Sequence, residues 1–164
     1  MSNYSFQPNA KQIATQGVSF LILRLFLAYE FFESGLSKFQ GENWFSDIQA
    51  IFPFPFNLLP ADINWLLAMS AELLCPILLL LGLFTRLSSF TLIIVTVVAW
   101  YSVHAGSGYN VCNNGYKMAL IYLVMLLPLL SQGAGSISVD FLLQKTHSSK
   151  YCLKFINFNF WRTK

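Results

Sequence analysis

Four ionisable side chains lie within segments that are apolar enough to cross a membrane. Arg24, Glu30 and Glu33 belong to the run VSFLILRLFLAYEFFESGL, and Glu72 lies near the middle of a second apolar run. A charged group in hydrocarbon is costly unless it is paired, protonated or hydrated, so such residues mark a functional site by default. Carboxylates in this setting can take up protons, hold a cation or contact the head group of a quinone.

The spacing of these residues predicts which of them can meet. Glu30 and Glu33 share one helix face, because they are three positions apart in the sequence. Arg24 and Glu33 lie about half a turn out of phase and cannot pair. With about 1.5 Å of rise per residue, Glu72 on an antiparallel second helix comes level with Glu30. We therefore expect Arg24 to pair with Glu72, and Lys38 to lie at the outer rim.

One arginine does not balance two or three carboxylates in a low dielectric. The surplus negative charge must be relieved by protonation, a bound cation, water or Lys38. Two compatible interpretations stay open. In the first, the charges form a clamp that fixes the order and rotation of the helices. In the second, they line a polar pocket that holds protons, a metal ion or a quinone-like head group.

Two further patterns are candidate metal sites. Met69, Glu72 and Cys75 share a helix face, and thioether and thiolate ligands suit copper(I). Met and Cys at this spacing are more often core filling. His104 and Cys112 lie close together in a later loop, but two ligands do not make a site. A histidine that caps a helix end is the alternative.

Motifs of self-contained enzymes do not occur in the sequence. There is no nucleophile elbow, phosphate-binding glycine loop, HExxH or CxxC. A hydrolase, kinase or thiol oxidoreductase with its own complete active site therefore finds no support, and no catalytic residue is assigned. If the chain is enzymatic, we expect a subunit of an oxidoreductase.

The elements that must position these residues are membrane helices. The chain has 164 residues, of which 55% are hydrophobic and only 10% are charged, whereas soluble domains carry about 25% charged residues. The predicted fold is an all-α integral membrane bundle of four transmembrane helices. These helices are expected at residues 18–36, 63–84, 88–103 and 116–131. Residues 1–143 form the bundle domain and residues 144–164 a basic, aromatic cytoplasmic tail.

Basic residues outside the apolar runs predict the orientation of the bundle. If the N-terminus is cytoplasmic, the basic residues on the inner side are Lys11, Arg86, Lys145, Lys150, Lys154, Arg162 and Lys164. Those on the outer side are Lys38 and Lys117. This distribution fits the positive-inside rule and places both termini in the cytoplasm.

Taken in order, these residues resemble the DoxX family of small four-helix bacterial inner-membrane proteins. The resemblance covers roughly residues 18–143 and rests on the helix spacing and on three segments. The segments are LRLFLAYEFFESGLSKF with Arg24, Gly35 and Lys38, AELLCPILLLLGLFTRLSS with Glu72, Gly82 and Arg86, and GAGSISVD with Gly133, Gly135, Ser138 and Asp140. Ala134 stands where the family usually has proline. The exit of the first helix and the tryptophan-bearing loop after it look more like the HvfX branch.

The resemblance implies a membrane subunit that works beside a redox enzyme. Family members accompany a quinone-linked thiosulfate oxidoreductase and an oxidative-stress complex. The HvfX branch is associated with the maturation of copper-binding peptides, next to iron-dependent modifying enzymes. Quinone and copper are therefore the candidate ligands. The expected partners are the lipid bilayer and a redox or peptide-modifying enzyme, with no nucleic acid. Assembly into a homo-oligomer stays open.

The remaining motif residues are expected to have structural roles. Arg86 should lie at the inner interface, as an anchor or a contact to lipid phosphate. Gly133 and Gly135 should permit a turn. Asp140 should cap the segment that begins at Phe141, with Ser138 as the alternative cap.

Overall fold

The computed structural model describes residues 10–146, and within that range every regular element is helical. The α-helices are α1 (Ala10–Gln40), α2 (Phe45–Ile48), α3 (Ala61–Leu81), α4 (Thr85–Ala99), α5 (Lys117–Gln132) and α6 (Val139–Thr146). Helix α4 continues through a π-helical turn at Trp100–His104 and a 3-10 turn at Ala105–Ser107. The predicted all-α membrane bundle is confirmed.

Three of the four predicted spans form helices long enough to cross a membrane. These are Ala14–Gln40 within α1, Ala61–Leu81, and Thr85–Ser107 with its two terminal turns. Helix α5 is shorter, with 16 residues, which corresponds to about 24 Å. Helix α1 also begins earlier than its apolar run. A Cβ atom on Gly17 would lie 2.2 Å from Ser136 Oγ, so the first turns of α1 pack closely against the connection between α5 and α6.

The four long helices form a closed ring around one core. Helix α1 contacts α3, α3 contacts α4, α4 contacts α5, and α5 contacts α1. The centre is filled by fully buried leucines, which are Leu27, Leu79, Leu92, Leu126 and Leu129. Large apolar side chains such as Ile22, Leu66 and Val124 are exposed on the outside of the ring, where acyl chains can cover them. We call the end where α1 begins and α3 ends the inner end, and the opposite end the outer end.

A left-handed glycine separates α3 from α4. Gly82 has φ 67°, and its N–H donates to Leu79 O while the N–H of Leu83 donates to Leu78 O. This pair of hydrogen bonds is a Schellman ending, which closes a helix at its C-terminus. The second span therefore ends at Leu81 rather than at Phe84.

An aromatic cluster packs the connection that follows α1 onto the outer end of α3. The Phe45 ring packs edge-on against Phe52 and Trp65, with centroid distances of 5.2 and 5.0 Å. The buried amide of Asn64 donates to the carbonyl of Phe56 at 2.8 Å. The proline-rich connection is therefore folded back onto the outer end of α3.

Candidate functional site

The buried charges form two clusters at opposite ends of the bundle. Glu72 and Lys38 lie in the outer half, whereas the guanidinium of Arg24 reaches the inner end of α3. The expected Arg24–Glu72 pair is therefore wrong. Arg24 reaches backbone carbonyl groups instead, and Lys38 is the partner of Glu72.

A buried salt bridge organises the outer cluster. Lys38 Nζ lies 2.6 Å from Glu72 Oε2, and the two side chains are only 16% and 6% exposed. The hydroxyl group of Ser34 donates to the same carboxylate at 3.2 Å, and Lys38 donates to that hydroxyl at 3.0 Å. Lys38 thus reaches back into the bundle from the outer end of α1, rather than only marking the rim.

Gly35 allows this salt bridge to form. A Cβ atom at this position would lie 2.9 Å from the carbonyl carbon and oxygen of Glu72. Helices α1 and α3 are therefore in close backbone contact at the level of Glu72. The contact brings Ser34 and Lys38, on either side of the glycine, within reach of the carboxylate.

A cleft of about 430 Å³ opens beside the salt bridge, between α1, α3, α4 and α5. Its ionisable lining comprises Glu30, Glu33, Glu72, His104 and Tyr122, and its other lining residues include Phe31, Val95, Thr96 and Met118. The Tyr122 hydroxyl group donates to Glu30 Oε2 at 2.5 Å. Glu72 is buried, Glu30 is half-buried and Glu33 is exposed.

The π-helical turn at the end of α4 brings His104 to the cleft. His104 Nδ1 lies 2.8 Å from the carbonyl oxygen of Asn114. Because a carbonyl oxygen only accepts, Nδ1 must carry the hydrogen, and the neutral ring keeps Nε2 as an acceptor. The cleft therefore combines carboxylates, an imidazole and a phenol, which are groups that can accept or pass on protons.

The candidate metal ligands are divided between two regions. Met69 and Cys75 lie on α3, with Cys75 in the apolar core, while His104 and the exposed Cys112 belong to the outer connection. Among residues 10–146, no three His, Cys, Asp or Glu side chains are grouped so that they could hold a metal ion.

At the inner end, Arg24 closes the C-terminus of α3. Its guanidinium donates to the carbonyl oxygen of Ile137 and lies 3.5 Å from that of Leu79. A Cβ atom on Gly82 would lie only 1.9 Å from Arg24 Nη1. A cation at this position satisfies terminal carbonyl groups and opposes the negative end of the helix dipole.

Asp140 caps α4, which corrects its expected role. Its carboxylate accepts the N–H groups of Phe84 and Thr85 at 3.2 and 3.4 Å, and its own N–H donates to Gly82 O at 3.1 Å. The hydroxyl group of Ser138 instead accepts the N–H of Phe141, at 3.1 Å, in the first turn of α6. The alternative expectation, that Ser138 caps the segment beginning at Phe141, is therefore correct, whereas Asp140 reaches α4, because the sequence does not show that α6 returns to the turn between α3 and α4.

The glycine motif forms the turn that leads into α6. Gly133 and Gly135 have φ values of 84° and 77°. A Cβ atom on Gly133 would lie 3.5 Å from Arg86 Nε, so the Arg86 side chain lies against this turn at the inner end.

We expect Asp140→Ala to destabilise the protein more than Ser138→Ala. The first change removes the acceptor for two N–H groups, and the second removes the acceptor for one. Loss of a cap costs about 0.5–2 kcal/mol. The free energies of unfolding in mixed micelles would test this order, and a larger loss for Ser138→Ala would contradict it.

Sequence reasoning missed Ser34 and Tyr122. Ser34 lies four residues from both Glu30 and Lys38, a spacing that places all three on one helix face. Tyr122 is one hydroxyl group in the middle of an apolar run. Its partner is 92 residues away in the chain, so no local pattern reveals the contact.

Comparison with known proteins identifies a family whose model covers most residues of both clusters. A DoxX family model matches residues 19–105, which include Arg24, the carboxylates of the cleft and His104. Two proteins of Haemophilus influenzae strain Rd, both described only as uncharacterised, are similar along most of the chain. One is 61% identical over 140 residues, covering 85% of this chain and 93% of its own length. The other is 32% identical over 126 residues, covering 72% and 85%. No solved structure matches.

Proposed function

Because the chain belongs to the DoxX family of membrane proteins, we propose that it is an accessory subunit of a redox process in the bacterial inner membrane. In this proposal the outer cleft receives the head group of a quinone or quinol, and the enzyme beside it supplies the redox centre. The contact between the Tyr122 hydroxyl group and Glu30, within a membrane-embedded cleft, carries the proposal.

The lining of the cleft suits an aromatic ring with oxygen substituents. Phe31, Val95 and Met118 offer apolar surface, while Glu33 and His104 offer acceptors for the hydroxyl protons of a quinol. When a quinol is oxidised, its two protons would pass to these acceptors and its two electrons to the redox centre of the partner. The volume of about 430 Å³ lies within the range of small-molecule sites.

The metal-linked alternative draws its support from the family resemblance. Maturation of a copper-binding peptide, as in the HvfX branch, stays a prediction. Copper that is retained by the purified protein and lost after Met69→Ala and Cys75→Ala would favour it. Copper binding that survives both substitutions would exclude Met69 and Cys75 as copper ligands.

We expect the purified protein in lipid nanodiscs, under anaerobic conditions, to bind a short-chain quinol, whose hydroxyl groups can donate to Glu33 and His104. Tyr122→Phe and Glu33→Gln should each weaken the affinity about tenfold, the equivalent of one lost hydrogen bond in a buried site. Titration calorimetry would measure the dissociation constants. Glu42→Gln is the matched control, because Glu42 is an exposed carboxylate outside the cleft lining. Equal affinities for all four proteins, or no binding at all, would refute the quinone site.

A further inference from the structure

A set of buried polar groups at the inner end has no role in the outer cleft. Thr85, Ser88 and Ser89 lie on one face of the first turns of α4, and each is at most 1% exposed. Arg24 on α1 is 1% exposed. Asp140 holds the turn before α4 beside the Arg24 guanidinium, because its carboxylate accepts the N–H of Thr85 and its own N–H donates to Gly82 O. We call Arg24, Thr85, Ser88 and Ser89 the inner polar cluster.

The inner polar cluster has more hydrogen-bonding capacity than its protein neighbours use. The hydroxyl oxygens of Thr85 and Ser89 and the Nε of Arg24 have no hydrogen-bond partner among residues 10–146, and the Ser88 hydroxyl group has only the Cys75 thiol beside it. Buried polar atoms nearly always have a partner, and a group left without one costs about 1–3 kcal/mol. Ordered water is the usual partner of such groups.

A layer of leucines separates this cluster from the outer cleft. On α1 and α4, a fully buried leucine lies between a residue of the outer half and a residue of the inner polar cluster, and α3 and α5 contribute fully buried leucines to the same core. Leu27 lies between Glu30 and Arg24 on α1, and Leu92 lies between Thr96 and Ser89 on α4. Likewise, Leu79 follows Glu72 on α3, and Leu126 follows Tyr122 on α5. We call Leu27, Leu79, Leu92 and Leu126 the leucine layer.

We propose that the inner polar cluster binds water, and that the leucine layer is the barrier between this water and the outer cleft. The bundle then contains two hydrated half-chambers, one at each end. An apolar constriction of this kind excludes water and blocks ion passage. Hydration from the inner end also removes most of the cost of placing the Arg24 charge within a membrane helix. The proposal does not depend on which ligand the outer cleft binds.

Water-edited solid-state NMR on the wild-type protein in bilayers tests the water site. Magnetisation from water should reach Thr85, Ser88 and Ser89 as fast as it reaches Glu33, which lines the outer cleft. It should reach Leu92 and the lipid-facing Val97 several times more slowly. Transfer to Ser88 and Ser89 as slow as transfer to Val97 would overturn the proposed water site.

Proton permeability of proteoliposomes tests the barrier. Leu92→Ser should raise the proton flux about tenfold over the wild type, because a hydroxyl group in the constriction lets water bridge the two half-chambers. Leu74→Ser is the matched control on α3, since Leu74 is 61% exposed towards lipid. Gel filtration and circular dichroism would verify that both variants are folded. A folded Leu92→Ser variant whose proton flux equals that of Leu74→Ser would overturn the proposed role of the leucine layer as a barrier.

Discussion

Replacing Lys38 by methionine should destabilise the protein by about 3–5 kcal/mol, since it leaves the buried carboxylate of Glu72 without its cation. The Glu72 side chain is 6% exposed, and the ammonium group of Lys38 lies 2.6 Å away. Among residues 10–146, the hydroxyl group of Ser34 would then be the remaining side-chain contact of the carboxylate. Unfolding in mixed micelles, followed by circular dichroism, gives the free energy.

Replacing Glu72 instead of Lys38 should destabilise the protein less. Glu72→Met leaves Lys38 without a carboxylate, but Lys38 lies near the outer end of α1 and can extend its flexible stem towards the interface. The double variant Lys38→Met/Glu72→Met should recover most of the stability that Lys38→Met loses, because no charge is then left unpaired. Losses that simply add in the double variant would show that the two residues do not stabilise each other.

Lys117→Met is the control for the loss of a basic residue at the outer end. Its ammonium group lies on the exposed surface, 5.6 Å from the centre of the Tyr109 ring. We expect a change of at most about 1 kcal/mol. A large loss in this control would mean that outer positive charge in general, rather than the contact with Glu72, supports the fold.

The helices and the importance of the buried charges were predictable, but the partners of those charges were not. Hydropathy and charge distribution are properties of single segments, and they identified the four helices. The depth calculation placed Glu72 level with Glu30, and both line the cleft. It paired Arg24 with Glu72 because it considered only charged side chains. The groups that Arg24 contacts are backbone carbonyl groups at the end of α3 and in the segment before α6. Every residue has a carbonyl group, so residue types and spacing do not show which ones Arg24 will meet.

The structure gives a physical reason for two segments of the DoxX resemblance. The first carries Gly82 and Arg86 in the turn from α3 to α4, and the second is GAGSISVD before and within α6. The two segments meet at the inner end, where Asp140 binds the turn and Arg24 contacts carbonyl groups from both. The motifs therefore describe one tertiary contact, although they are more than 40 residues apart in the sequence.

Gly82→Ala should lose more stability than any other glycine-to-alanine change in that contact, about 2–5 kcal/mol. Two costs add at this position. Alanine at a φ of 67° adopts a left-handed conformation, which costs about 1–2 kcal/mol. Its methyl group would also collide with Arg24 Nη1 and lie 2.7 Å from Ser138 Cβ, so a fully buried guanidinium and the start of the segment at Ser138 must move.

Gly108→Ala is a control without a steric collision. Gly108 has φ 74° and ψ −160°, a region that side chains adopt even less readily than the left-handed helical region of Gly82, but a Cβ atom there meets nothing within 4 Å. Its substitution should cost only a conformational part, about 1–3 kcal/mol. Gly106→Ala, with open space and no left-handed backbone, should be close to neutral. A loss at Gly82 of no more than about 2 kcal/mol, the conformational cost alone, would show that the guanidinium yields at no cost and that Gly82 only shapes the turn.

A second substitution at Arg24 tests whether the guanidinium is the group that excludes a side chain at position 82. Lysine keeps the positive charge but lacks the Nη1 atom that the new methyl group would strike. Arg24→Lys alone should destabilise the protein, because one ammonium group cannot reach both carbonyl oxygens in the geometry of the planar fork. Combined with Gly82→Ala, however, it should cost less than the sum of the two single changes, by about 1–3 kcal/mol. Strict additivity would mean that residues 24 and 82 act on stability independently, and the close approach between them would then have no energetic consequence.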